Sequence, residues 1–267
     1  MFFSGSEWTK VSDDDQLESL VFPHKSPVLY LSYQNFPQLI RVQSYNLSSS
    51  SRAYESLPMI VSVIKSANPD ILMLQGVGVL RVKGFFSVKE YDMFEALCQE
   101  LHEYPHKLFK NRFCIFARYP VSFSQEFDFA VSATVAMPKG SIDLYNTQLD
   151  DHPNVQPKQC VELLSCMQDS DRPQIIAGDF KVKKNYTTSA DILEGRFPVE
   201  GVKGTVKLVG DSGANTFPSW DPVESFDRIY YRNVQMTGNF DVTGYAESSN
   251  VIASDHCAVL SDFLLDN

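Results

Sequence analysis

The 267-residue sequence contains no run of about 18 consecutive apolar residues, so it offers no segment long enough to cross a bilayer as a helix. Its five cysteines, Cys98, Cys114, Cys160, Cys166 and Cys257, form no Cys-x-x-Cys pair and no Cys/His cluster. A disulfide framework and a structural zinc site are therefore not expected. With 13 Gly and 14 Pro, the chain is neither collagen-like nor linker-dominated, and no internal repeat is visible. Basic charge is also short: 23 Lys and Arg stand against 33 Asp and Glu, a formal net charge of −10. Such a field repels polyanions at long range, so nucleic acid could bind only through a local basic patch. The first residues turn polar at Ser4, Ser6, Glu7 and Lys10, too early for a secretory signal. Together these absences predict a soluble intracellular protein of the cytoplasm, nucleus or an organelle matrix.

What is present is material for a core, with 43% hydrophobic residues and 19 Phe, 12 Tyr and 2 Trp. Residues 1–38 read as an N-terminal extension or extra strands, with the acidic run Asp13-Asp14-Asp15 and a strand at Val28–Tyr33. Beyond it, 39–267 reads as one α+β domain. Strands are expected at Leu39–Tyr45, Ile71–Leu74, Phe113–Phe116, Phe127–Met137, Ile142–Tyr145, Gln174–Ala177, Val202–Val209, Arg228–Tyr231, Val234–Val242 and Ala258–Leu264, from alternation or short apolar runs. Helices are expected at Tyr54–Lys65, Tyr91–Leu101 and Lys158–Met167. In the first, Leu57, Ile60, Val61 and Ile64 recur at helical spacing and Asn68-Pro69-Asp70 ends it.

Polar residues that the fold does not need recur beside these apolar strands. Asn46 follows the first, Gln75-Gly76 the second, Asn146-Thr147-Gln148 the fifth and Asp179 the sixth. Asp227 precedes Arg228–Tyr231, and Ser254-Asp255-His256 precedes the last strand. Each alone reads as a turn or a cap. Six on one plan point to a shared site at one sheet edge, where α/β scaffolds place ligand groups.

These residues carry a resemblance. The order Ser44-Tyr45-Asn46, Pro69-Asp70 through Gln75, Ala117-Arg118-Tyr119-Pro120, Tyr145-Asn146-Thr147-Gln148, Ala177-Gly178-Asp179-Phe180, Phe226-Asp227-Arg228-Ile229 and Ser254-Asp255-His256 resembles the endonuclease/exonuclease/phosphatase superfamily. The stretch Trp220-Asp221, then Phe226 to Arg232, is most similar to the branch with type-2 tyrosyl-DNA phosphodiesterase. The resemblance implies a four-layer α/β/β/α sandwich with two packed, mostly antiparallel sheets, and Mg²⁺-dependent hydrolysis of phosphoric esters. It implies His256 as general base or phosphate donor, Asp227 as its orienting partner and Asp179 as the group that positions water. Asn46, Asn146, Gln148 and Lys181 would contact phosphate, and Asp255 and Asn46 would contribute to a metal site.

Against that pattern the sequence departs at three places. The family's metal-binding Glu falls on Gly76, its Asn-Thr-His histidine on Gln148, and its second phosphate-binding Asn on Lys181. The resemblance therefore implies a catalytically impaired member, with no cofactor or weakly held Mg²⁺, that binds a partner protein or a phosphorylated ligand. An active phosphodiesterase or nuclease using Asp227, His256 and Asp179 is the alternative, and a purely structural subunit the third. Lys181 could replace the ion's charge, form a solvated turn with Lys183 and Lys184, or build with them a patch for nucleic acid. Phe217 and Trp220 could form a stacking wall or close the core under a loop. His152 could substitute for the lost histidine, although a loop His before Pro is more often exposed.

Overall fold

The computed structural model describes residues 2–3, 8–9, 37–47, 56–83, 88–167, 170–202, 205–210, 214–247 and 252–265. It separates into two compact units, 1–37 and 38–267. In the first, β1 (Phe2–Phe3) and β2 (Trp8–Thr9) form an antiparallel pair. The expected strand at Val28–Tyr33, the acidic run at 13–15 and His24 lie outside the described residues.

The second unit runs β3 (Gln38–Asn46), α1 (Leu57–Ala67), β4 (Ile71–Gln75), β5 (Val79–Lys83), β6 (Val88–Asp92), α2 (Met93–Glu100), β7 (His106–Lys110), β8 (Phe113–Ala117), β9 (Val121–Phe127), β10 (Ala130–Met137) and β11 (Gly140–Gln148). It continues with α3 (Gln156–Met167), β12 (Gln174–Asp179), α4 (Thr188–Leu193), β13 (Lys207–Leu208), β14 (Asp227–Arg232), β15 (Gln235–Thr243) and β16 (Ala258–Leu265). Two six-stranded sheets result, ordered β15-β16-β3-β4-β8-β7 and β13-β14-β12-β11-β10-β9, with β5 and β6 as a separate hairpin.

Each large sheet is antiparallel except for one parallel pair, β3 with β4 and β11 with β12. Parallel neighbours need a crossover, and α1 and α3 supply it. The crossovers also explain the layers. Strand alternation sends Ile40, Val42, Ile71 and Met73 from one sheet against Val131, Leu144, Ile175 and Ile229 from the other, forming the central core. The opposite faces bury Leu72, Leu74 and Phe116 under Ile60, Ile64 and Leu97 of the first two helices. On the far side Tyr145, Ile176 and Tyr230 lie under Cys160, Leu163 and Leu193. Each such aliphatic side chain contributes on the order of 2 kcal/mol when fully buried. This is the four-layer α/β/β/α sandwich expected from the sequence.

Local chemistry sets the helix ends. α1 has Pro58 in its first turn and ends on Asn68 in left-handed geometry, φ 49°. α2 starts on Asp92, whose carboxylate accepts a 3.0 Å bond from the Glu95 N–H. Tyr91 and Asp92 therefore belong to β6, not to the expected helix. The expected strand 127–137 is β10 begun three residues early: Phe127 ends β9, and Asp128-Phe129 turns the chain between the two strands. Of the expected strand 202–209, only Lys207–Leu208 pairs, with 203–204 outside the described residues. The buried cysteines are Cys114, Cys160 and Cys257, whereas Cys166 is exposed.

Gly178 marks a close approach of two strands. Its φ is +151°, and a Cβ there would stand 1.8 Å from the Thr147 carbonyl oxygen of the adjacent parallel strand. Because backbone cannot swing aside, Gly178→Ala should destabilise the protein by at least about 3 kcal/mol. A guanidinium denaturation midpoint unchanged from wild type would contradict this packing.

Candidate active site

The inner faces of the sheets change character toward one edge. Along β3 the inward positions run Ile40, Val42, Ser44, Asn46; along β4, Ile71, Met73, Gln75; along β11, Ile142, Leu144, Asn146, Gln148. The apolar members fill the central core, and the polar ones end it. Both parallel pairs point their carboxyl ends to this edge. Register then aligns the site: Asn46 pairs with Gln75, Gln148 with Asp179, and Asp179 with Asp227.

Beneath the surface, two amides rivet the sheets together. Gln75, fully buried, donates from Nε2 to Asn146 Oδ1 at 2.7 Å and to Ser44 Oγ at 3.1 Å. Asn146, equally buried, donates back to the carbonyls of Leu74 at 2.9 Å and Cys114 at 3.0 Å. Asn146 was expected at phosphate. Its amide is instead spent holding one sheet to the other, and it is not among the residues that line the cleft.

Above this floor opens a cavity of about 590 Å³, lined among others by Asn46, Gly76, Gln148, Asp179, Lys181, Asp255 and His256. Asp179, Asp227 and His256 are buried and present ligand atoms within 4.8 Å of one another. His256 Nδ1 lies 2.8 Å from Asp227 Oδ2. Asp179 Oδ2 accepts from Asn46 Nδ2 at 3.0 Å and from Gln148 Nε2 at 3.4 Å, and its Oδ1 accepts from the Lys181 N–H at 3.1 Å. Asn46 Nδ2 also stands 3.3 Å from His256 Nε2, able to donate to the neutral ring.

The surrounding loops hold these groups in place. Thr216 Oγ1 accepts from the Asp227 N–H at 3.0 Å, and Ser254 Oγ accepts from the His256 N–H at 3.1 Å while donating to the Asn46 carbonyl at 2.6 Å. Phe217 stacks on Phe226, centroids 5.0 Å apart, and approaches the His256 ring at 4.9 Å. Phe217 thus forms part of the cleft wall, whereas Trp220 is exposed and does not line it. His152 is exposed and outside the cleft, its Nδ1 accepting from the Asn154 N–H at 3.2 Å. Asp255 and Gln148 do line it.

Electrostatics follow from burial. Burial, then the nearby Asp227 charge, push the Asp179 carboxyl up to about 6, partly offset by His256, Lys181 and the Gln148 bond. For His256 burial works downward, but the Asp227 charge and hydrogen bond, with Asp179 and Asp255, outweigh it and raise the imidazole to about 9. At neutral pH His256 is therefore an imidazolium. In that form both ring nitrogens donate, and the Asn46 contact at Nε2 is given up.

Mg²⁺ seeks an octahedral shell of hard oxygens and keeps several waters. The donor set here meets that demand in part, through Asp227 Oδ1, a buried carboxylate oxygen with no hydrogen-bond partner. The other three of the four carboxylate oxygens already accept hydrogen bonds, and Gly76 carries no side chain at all. Gly76 moreover adopts φ 71°, a conformation that disfavours any replacement there.

Sequence reasoning did not single out Arg112 and Asn111 of the β7–β8 turn, Asp151, Val77 or Gly78, all of which line the cleft. Phe226, which also lines it, belongs to the Phe226-Asp227-Arg228-Ile229 motif. Nothing in the sequence marks the turn.

The model of the Endonuclease/Exonuclease/phosphatase family matches residues 44–256. No curated protein matches the sequence. Among solved structures, humanized D. rerio TDP2 carrying 14 mutations superposes with a TM-score of 0.64 at 16% identity, over 84% of this chain and 98% of that one. An endonuclease/exonuclease/phosphatase from Bacteroides vulgatus gives 0.64 at 17% identity, over 86% and 100%. D. rerio TDP2 complexed with single strand DNA product gives 0.61 at 16%, over 84% and 98%.

The His256–Asp227 pair makes a pH-dependent contribution to stability. With the imidazole raised from 6.5 to about 9, that contribution is whole below pH 6.5 and lost as pH climbs through about 9. Asp227→Asn should bring the His256 titration, followed by NMR, down by at least about one pH unit and flatten this alkaline loss of stability. An unmoved titration would remove Asp227 as the cause.

Proposed function

The chain belongs to the endonuclease/exonuclease/phosphatase family, and we propose that within it the protein binds phosphate esters while its metal-dependent hydrolysis is lost or weak. One observation carries the reading: the buried Asp179–Asp227–His256 group spends three of its four carboxylate oxygens on itself, Asn46, Gln148 and the Lys181 N–H, leaving only Asp227 Oδ1 without a partner. Gly76 stands where family resemblance puts the metal-gripping glutamate. An imidazolium at His256, the Lys181 ammonium, and the Asn46 and Gln148 amides supply donors that an anion can meet without a divalent ion.

The chemistry proposed for the chain's own groups is binding. Asp227 holds the imidazole with Nδ1–H inward, so that Nε2–H is the donor offered to a phosphate oxygen. Asp179 fixes Asn46 and Gln148 at its rim. Lys181 adopts φ 49°, a backbone state uncommon for lysine, which its N–H bond to Asp179 supports. Phe217 and Phe226 give an apolar wall to the organic part of the ester. A nucleic-acid phosphate is one candidate; the solved TDP2 complex holds single strand DNA product in the same fold. With a net charge of −10, that candidate depends on Lys181, Lys183 and Lys184.

A second reading is an active hydrolase with a rearranged ion site. It is favoured by Asp227 Oδ1, a buried oxygen with no hydrogen-bond partner. A divalent ion could recruit that oxygen if the His256 proton were displaced.

Metal titration separates the two. Mg²⁺ up to about 10 mM should leave the melting temperature within about one degree, by ligand linkage, and bis(p-nitrophenyl) phosphate should turn over at least about 1000-fold slower than expected for an intact site. The triple variant Gly76→Glu, Gln148→His, Lys181→Asn should gain Mg²⁺-dependent turnover, against about 1–2 kcal/mol of backbone strain at position 76. Robust wild-type turnover that His256→Ala abolishes would establish the hydrolase instead.

A further inference from the structure

The first sheet brings to the cleft a further cation that lies outside every motif. Arg112 is the second residue of the two-residue turn that joins β7 to β8, where Lys110 pairs with Phe113 and Asn111 takes φ 53°. The turn is anchored: the Arg112 carbonyl accepts the Val77 N–H at 3.0 Å, tying it to the segment just past Gly76. The Asn111 amide engages Glu126, the nearby acid of β9. The Arg112 guanidinium itself stacks 5.5 Å over the Phe113 ring and, among the described residues, has no ion-pair or hydrogen-bond partner. Gly76 and Gly78 also line the cleft, and a Cβ at Gly78 would meet nothing within 4 Å.

A guanidinium without a carboxylate, held by a fixed turn beside side-chain-free backbone, faces a cleft whose other wall carries Lys181 and Lys183. The lining holds three acids, Asp151, Asp179 and Asp255, against the three cations Arg112, Lys181 and Lys183, and among the described residues none of these acids pairs with Arg112. We propose that Arg112 is a phosphate clamp, gripping two oxygens of a phosphate ester from the first sheet while Lys181 holds it from the second, and so takes the neutralising part of a divalent ion. This rests on the reading of the cleft as a phosphate site, and adds to it a residue and a ligand class: esters with at least two free phosphate oxygens, bound without metal. The planar fork of arginine suits two oxygens at once, which the compact ammonium of lysine does not.

The test measures binding of phenyl phosphate and of methyl phenyl phosphate by calorimetry, in EDTA and in 5 mM Mg²⁺, on wild type and on Arg112→Met, Arg112→Lys and Lys181→Met. We expect wild-type affinity to be the same in both buffers within about twofold, Arg112→Met to lose at least about tenfold, and Arg112→Lys to fall between. A preference for the monoester would place its terminal oxygens in the clamp, and equal affinity would assign the two non-bridging oxygens of either ester to it. Arg112 lies on an exposed turn, and unchanged circular dichroism of its variants confirms that they fold. If Arg112→Met binds as wild type while Lys181→Met does not, the clamp is wrong and the phosphate reading stands. If wild type binds neither ester at millimolar concentration, both fall. A gain of tenfold or more from Mg²⁺ would return the neutralising part to the ion and overturn the clamp.

Discussion

Three ionisable side chains buried within 4.8 Å of one another form the constraint around which the rest of this edge is arranged. Two carboxylates placed that close with little water repel strongly, and each is costly to bury alone. The imidazolium between them makes the cluster tolerable, and the amides of Asn46 and Gln148 and the Lys181 N–H take up further lone pairs. One carboxylate oxygen, Asp227 Oδ1, stays without a hydrogen-bond partner.

The cluster exists at all because of topology. One parallel pair per sheet brings the ends of β3, β4, β11 and β12 to one edge, and the antiparallel strands β14 and β16 begin there. Residues far apart in the chain, Asn46 and His256 among them, meet because the alternation that fills the core with Ile and Val continues one or two steps into polar residues. The core and the site are successive parts of the same inward-facing rows.

Much of this was legible beforehand, for reasons that can be named. Ile71–Leu74 and Gln174–Ala177 are apolar on both faces, and no competing structure explains such short runs. The convergence of Asn46, Asp179, Asp227 and His256 followed from motif order and the polar residues at strand ends. What escaped had weak local signals. β9, Val-Ser-Phe-Ser-Gln-Glu-Phe, lies at a sheet edge with most of its residues exposed, so its composition resembles a loop. α4 is six residues long and held by the packing of Ala190, Ile192 and Leu193, not by propensity. Asn146 looked like a ligand group because its sequence neighbours do, and only the depth of its row shows that its amide is consumed by Leu74, Cys114 and Gln75. Arg112 was invisible because a turn arginine has no periodicity, and its relevance is created by a hairpin from the opposite sheet.

The paired amides of Gln75 and Asn146 have a mechanical corollary. They stitch the two sheets at the very depth where the cleft begins, with donors and acceptors in both directions. Sliding one sheet over the other by even a fraction of a strand step would rupture several of these bonds together, in a dry interior that offers no replacement. The gap between the walls is therefore set like the jaws of a locked caliper, and any adjustment to guests of different girth must come from the rim turns alone.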